Sequence, residues 1–223
     1  MIESATGLIL RSRPLTETSL ILHWLTPRFG RLATVARGAR RPKSPFAGKL
    51  DVFYLADFSF SRSRRSDLHQ LREVQLRETH SALRDDLRKL QQAAYAAAFI
   101  EQTTETETPL QEIFQETRAF LKHLCADEPM PESVFALELK LLRELGLEPD
   151  PDATRLTPGL KKIMRQLAGQ DWPWISQLKL STAQTIELRQ FLQRFLISHL
   201  GKLPRGRALA VGENSGGHQT DRP

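Results

Sequence analysis

The densest run of like charge lies between Arg28 and Lys49, RFGRLATVARGARRPKSPFAGK. It holds Arg28, Arg31, Arg37, Arg40, Arg41, Lys43 and Lys49 and no acidic residue. Guanidinium and ammonium groups gathered this way neutralise phosphates and release counterions, which gives salt-dependent affinity for a polyanion. A generic solvated face is the competing reading of the same charge. Gly38, Pro42, Pro45 and Gly48 break regular structure and would let the backbone approach a ligand. Phe29 and Phe46 are candidate stacking faces for unpaired bases. A place in the core is the competing reading for each aromatic.

Covalent chemistry is harder to assemble. Gly48-Lys49 is followed by Leu50 and lacks the earlier glycine of a phosphate-binding loop. The chain contains neither Gly-x-Ser-x-Gly nor His-Glu-x-x-His. His123 and Cys125 are two apart on an expected helix and so point in different directions. Asp85-Asp86 reads as acids favouring a helix dipole rather than as a metal pair. Cys125 is the single cysteine, which rules out an intrachain disulfide and a multi-cysteine zinc site. The expectation is a non-enzymatic binding protein without cofactor, metal or catalytic residue.

The charge is unevenly spread along the 223 residues. The whole chain carries +6, while residues 1–80 hold 14 Lys/Arg against 7 Asp/Glu. The remainder is therefore slightly acidic, and the excess charge sits in the first third, as a polyanion footprint would. With 40% hydrophobic residues the chain has material for a core in one large or two small domains. No apolar run approaches the roughly 18 residues that span a membrane. The first ten residues lack a basic region followed by a long apolar one, so a cytoplasmic location is expected.

The elements that must position the basic run are short strands. Gly7–Leu10, Ser19–Leu25, Arg31–Arg37, Leu50–Phe60 and His69–Leu76 read as five strands of a small barrel. Residues 61–67 read as a polar hairpin loop between the last two. After Thr79 the period becomes helical, with Leu83, Leu87, Leu90, Ala94, Ala97 and Ala98 on one face and Ser81 as the expected cap. Further helices are expected from Leu110 to Leu124, Pro131 to Leu145, Leu160 to Leu167 and Thr182 to Leu200. The organisation is thus α+β: a barrel over 1–80, a helical domain over 81–203 and a disordered tail over 204–223.

The order and spacing of Gly7-Leu8-Ile9-Leu10, Glu17 to Leu22, Leu25-Thr26, Phe29-Gly30, Val35 to Arg41, Lys43-Ser44, Leu50 and Phe53 are similar to those of the bacterial recombination mediator family RecO. Tyr95 and the segment Phe135 to Pro149 resemble that family's helical domain more loosely. The resemblance covers about residues 4–150. It implies a five-stranded OB-fold barrel followed by an all-helical domain. It also implies binding of single- and double-stranded DNA, annealing of complementary strands, and help in loading the RecA recombinase onto DNA coated with single-strand-binding protein. RecR and the C-terminal tail of single-strand-binding protein are the implied protein partners. Arg37, Arg40, Arg41 and Lys43 fall where the family carries its basic segment. Many members also hold a cysteine cluster resembling a zinc module, but residues 150–175 contain no cysteine, and packing must do its work here.

Two other classes remain open on the residues. Arg118 and Lys122, with Lys140 and Arg143, lie beside apolar positions and could flank a groove for an acidic peptide, as in a protein-binding adaptor of a repair complex. An RNA-binding barrel would carry similar basic residues. Competition between DNA and RNA separates it from the first reading.

Overall fold

The computed structural model describes residues 2–212. Strand β1 (Ile2–Pro14) pairs with two partners in succession. Its first half, Ile2 to Leu8, runs antiparallel to β4 (Leu55–Ser61), and its second half, Leu8 to Pro14, runs antiparallel to β2 (Leu20–Thr26). A bulge between Ile9 and Arg11 marks the change of direction, since an extra residue bends and twists a strand. β2 pairs with β3 (Gly30–Ala36), and β4 pairs with β5 (Leu68–Glu78). A short parallel contact of Ala33–Val35 with Leu68–Gln70 joins β3 to β5 and closes the order β1-β2-β3-β5-β4. This is the OB-fold topology.

The expected third, fourth and fifth strands are present, but Leu50–Tyr54 is not strand. Those residues end the long β3–β4 connection, and Phe53 has φ 65, which a strand residue does not adopt. The first strand is three times the length of its apolar run, because only Gly7–Leu10 is buried on both sides. Ile9 packs into the barrel interior with Leu22, Trp24, Phe58 and Phe60. Leu8 and Leu10 face outward into the helical core, together with Leu25, Phe53 and Leu55.

A 3-10 turn (Ser81–Arg84) leads into α1 (Leu87–Thr103), followed by α2 (Gln111–Ala126), α3 (Pro131–Glu144), α4 (Pro158–Gly169), α5 (Trp172–Ile175), α6 (Thr182–Leu200) and α7 (Arg207–Ala210). Asp86, not Ser81, caps α1, its carboxylate accepting from the Arg88 N–H at 2.7 Å. The expected apolar face of this helix is partly wrong: Leu87 is 68% exposed and Ala94 is exposed. Leu83 and Ala97 of that face are buried as expected, and Ala93, Ala96, Phe99 and Ile100 are buried besides, because barrel and helices cover α1 from several sides. Ser181 and Gln184 close a reciprocal cap at the start of α6. Between 151 and 175, where no cysteine is available to a zinc module, Leu156, Leu160, Met164, Leu167, Trp172 and Ile175 pack into the helical core.

The expectation of a disordered tail from residue 204 is corrected over its described part. Arg207 lies at 3% exposure and meets Glu138 (0%) through two parallel contacts, Nε to Oε1 at 2.6 Å and Nη2 to Oε2 at 3.0 Å. Tyr95 donates its hydroxyl to the same carboxylate. The Gln92 amide donates to the Ala210 carbonyl at 3.0 Å, and Val211 is fully buried. Composition misleads here because one buried guanidinium and two small apolar residues anchor an otherwise polar segment. Residues 213–223 lie outside the described residues.

Candidate nucleic-acid interface

Three connections of the barrel converge beside β3. The β1–β2 connection (15–19) is folded by Thr16, whose Oγ1 accepts from the Ser19 N–H at 3.1 Å. The β3–β4 connection begins at Arg37 and is tied to it by Arg40 N–H donating to the Thr18 carbonyl at 3.0 Å. The β4–β5 connection (62–67) forms the third wall. A cleft of about 810 Å³ lies between them, with Thr18, Arg37, Arg41, Arg62, Ser63 and Gln70 among its lining residues.

The basic run is a chain of tight turns rather than irregular coil. Backbone hydrogen bonds close Gly38–Arg41, Arg41–Ser44, Ser44–Ala47 and Phe46–Lys49 in succession, at 3.0–3.1 Å. Gly38 opens the series at φ 67, in the left-handed region that glycine occupies without penalty. Phe46, 7% exposed, packs into the cluster of side chains filling the barrel and anchors the run. Arg37, Arg40, Arg41 and Lys43 are exposed, and none enters an ion pair among the described residues.

The expectation that Phe46 stacks on bases is therefore corrected: its ring is in the core. Phe29 is half-buried, edge-on to Phe60 at 5.6 Å, with Arg28 5.0 Å and Arg62 5.8 Å from its ring centroid. Its faces are occupied by guanidinium groups of the protein itself. Arg31 is also committed elsewhere. Its Nε donates to Thr104 Oγ1 at 2.8 Å, its Nη2 to the Thr104 carbonyl, and burial lowers its pKa. It fastens the barrel to the helices. Lys49 lines a different cleft, of about 690 Å³, whose lining also includes Arg72, Asp57 and Glu73.

Residues 61–67 are expected from the sequence only as a polar loop, yet Arg62 brings a further guanidinium group to the cleft, and its loop neighbours Arg64 and Arg65 are exposed. The run Arg-Ser-Arg-Arg was the available signal. What the sequence could not show is that this loop faces the 37–43 run across β3 and β5. Arg62 is held by Glu3 at 2.8 Å and Glu107 at 2.7 Å. The Glu3 hydrogen bond above all raises its pKa, and Glu107 adds to it. His69, buried at the cleft floor, accepts the Ser63 N–H at Nδ1 (3.3 Å), so Nε2 carries the proton it donates to Glu107 Oε1 at 2.8 Å. Partial burial opposes ionisation of Glu107, but the hydrogen bonds from His69 and Arg62 outweigh it and lower its pKa.

The four residues expected to flank a peptide groove differ in their surroundings. Lys140 is 4% exposed, with Nζ 3.9 Å from Glu116 and 5.6 Å from the Trp172 ring centroid. Burial lowers its pKa, with Glu116 opposing. Arg143 donates to the Ala168 carbonyl at the end of α4 at 2.7 Å. Arg118 lies over Phe114, and only Lys122 of the four is fully exposed without a close partner among the described residues.

A different trio stands close enough for chemistry. His123 Nε2 is 2.7 Å from Ser133 Oγ, and its Nδ1 is 3.1 Å from Asp127 Oδ2. That order matches a nucleophile, a base and its orienting acid. Ser133 is 2% exposed and His123 5%, and the imidazole is stacked on Trp172 at 5.1 Å. Both the hydroxyl and the imidazole are buried, and the trio joins α2 to α3.

Comparison with known proteins agrees with this architecture. Residues 1–80 match the family model described as recombination protein O N terminal, and residues 84–153 match recombination protein O C terminal. The DNA repair protein RecO of Anaeromyxobacter sp. (strain K) is 34% identical over 148 residues, covering 66% of this chain and 58% of that protein. That of Myxococcus xanthus is 32% identical over 153 residues, covering 69% and 62%. The matched part of the chain thus spans less than two thirds of either relative. The RecO of Anaeromyxobacter sp. (strain Fw109-5) is 27% identical over 232 residues, covering 88% of this chain and 91% of its own. With both terminal family models matched in order and together spanning most of the chain, this protein belongs to the recombination protein O family.

Proposed function

We propose that this protein is a DNA-repair mediator that holds DNA strands on the barrel cleft without covalent chemistry. The observation that carries the reading is that Arg37, Arg41 and Arg62 line one cleft, with Arg40 and Lys43 exposed on the same turn-built run, which a buried Phe46 anchors. A surface of this kind grips the sugar–phosphate backbone and leaves base edges unread. Holding two strands together lowers their repulsion and raises their local concentration, which is what annealing requires. The names of the relatives favour DNA over RNA as the ligand. Loading of RecA, contact with RecR and contact with the tail of single-strand-binding protein belong to the same reading, as does action in the bacterial cytoplasm at the nucleoid. Among the described residues no helix is long and apolar enough to cross a membrane.

The experiment is a salt series of binding to a fluorescent single-stranded oligonucleotide. Replacing Arg37, Arg40, Arg41 and Lys43 together by Gln should flatten the slope of log affinity against log salt by about 3, at roughly 0.7 per lost phosphate contact. An unchanged affinity and slope would sink the assignment of the cleft.

A further inference from the structure

The connection between α1 and α2 (residues 104–110) crosses from the helical domain to the wall of the cleft. Glu107 sits there with φ 57, a left-handed conformation that a non-glycine residue keeps only when its surroundings over-determine it. Its backbone N–H donates to the Arg31 carbonyl at 2.9 Å. Its carboxylate takes one contact from His69 and one from Arg62, both lining residues of the cleft. His69 is 2% exposed and fixed, while Glu107 and Arg62 are 37% and 36% exposed and within reach of solvent and ligand. A carboxylate on the guanidinium of an anion-binding cleft presents the charge and the acceptor oxygens that a phosphate would present.

We propose that Glu107 is a built-in competitor for the nucleic-acid backbone: it occupies Nη1 of Arg62 while Glu3 holds Nε, and a phosphate of the bound strand takes the place of Glu107 at Nη1. The inference rests on the cleft being the strand-binding surface. It adds a consequence for the helical domain. Once Arg62 turns to a phosphate, the 104–110 connection loses one of the contacts that hold Glu107 in its strained conformation. By reciprocity, whatever loosens that connection strengthens strand binding. The cleft and the α1–α2 pair are coupled through one ion pair.

The test is Glu107→Gly, which removes the carboxylate and suits the observed φ. Single-strand affinity at low salt should rise about two- to fivefold, the effect of freeing one exposed ion pair. The salt slope should steepen by about 0.7 as Arg62 adds a phosphate contact. Adding Arg62→Gln to the same chain should cancel both gains. In the unmodified protein, amide hydrogen exchange in 104–110 should speed up when the oligonucleotide is saturating, a readout that does not depend on a variant folding. Wild-type affinity and slope in Glu107→Gly, a gain that survives Arg62→Gln, or unchanged loop exchange would each overturn the competitor. If the variant lacking Arg37, Arg40, Arg41 and Lys43 still loses affinity in that case, the cleft reading stands and only the competitor falls.

Discussion

The basic run of the barrel and the buried cations of the helical domain stand in opposite surroundings. On the barrel, Arg37, Arg40, Arg41 and Lys43 stand in water on a loop, where they keep their hydration and remain available. In the helical domain, Arg207 and Lys140 are nearly sealed from solvent, and each faces a carboxylate, the buried Glu138 and the partly exposed Glu116. A charge taken out of water must be paired where it stands, and a paired charge has little left to offer a ligand. The same residue types therefore stay free in water on the barrel loop, as the proposed strand binding requires, and act as structural clamps where they are buried. The difference lies in burial and not in composition.

The largest effect that would sharpen this contrast is at Arg207. Arg207→Ala leaves the Glu138 carboxylate and the Tyr95 hydroxyl buried without their cation, and should cost about 3–5 kcal/mol of stability in urea unfolding. Strand affinity of the folded fraction should not change. A loss under 1 kcal/mol would break the claim that helical-domain charges are architectural.

Next comes the seam between the two regions. A Cβ on Gly30 would lie 1.7 Å from the Thr108 carbonyl oxygen, and its φ of 60 already disfavours a side chain. Gly30→Ala should therefore push the 104–110 connection off the barrel, at about 1–3 kcal/mol in thermal or urea unfolding. Wild-type stability would mean that the close approach is not required.

The smallest effect is spread over pH. Burial above all lowers the pKa of His23, His80 and His123. A histidine whose folded pKa lies below its unfolded one supports the fold fully above about 6.5, and that support is lost as pH falls from there through the folded value. Unfolding midpoints should therefore drop between pH 7.5 and 5.5, and less so in His123→Gln. The four-fold Gln variant of the basic run, by contrast, should stay within about 0.5 kcal/mol of wild type at any of these values, since its side chains touch solvent. A large loss there would blur the distinction between the two regions.

Much of this was legible in the chain itself. Alternation and turn residues marked the strands of the barrel, and α3 was bounded by Pro131 and the left-handed Gly146 as expected. The concentration of positive charge in the first eighty residues, and its core in Arg37 to Lys43, needed no coordinates. These features are local: a strand's period, a helix's caps and a run of like charge are written in neighbouring residues. Tertiary structure decided the rest. It sent Phe46 into the barrel and Arg31 to Thr104, and it buried Lys140. It folded Pro204–Val211 back onto α1 and α3, it set the 62–67 loop opposite the basic run, and it brought Glu107 onto Arg62 and His69. Each of those outcomes depends on which surfaces meet across 25 to 120 residues of chain. Burial and partner, which decide whether an arginine stands free in water or becomes a structural clamp, are properties of that meeting.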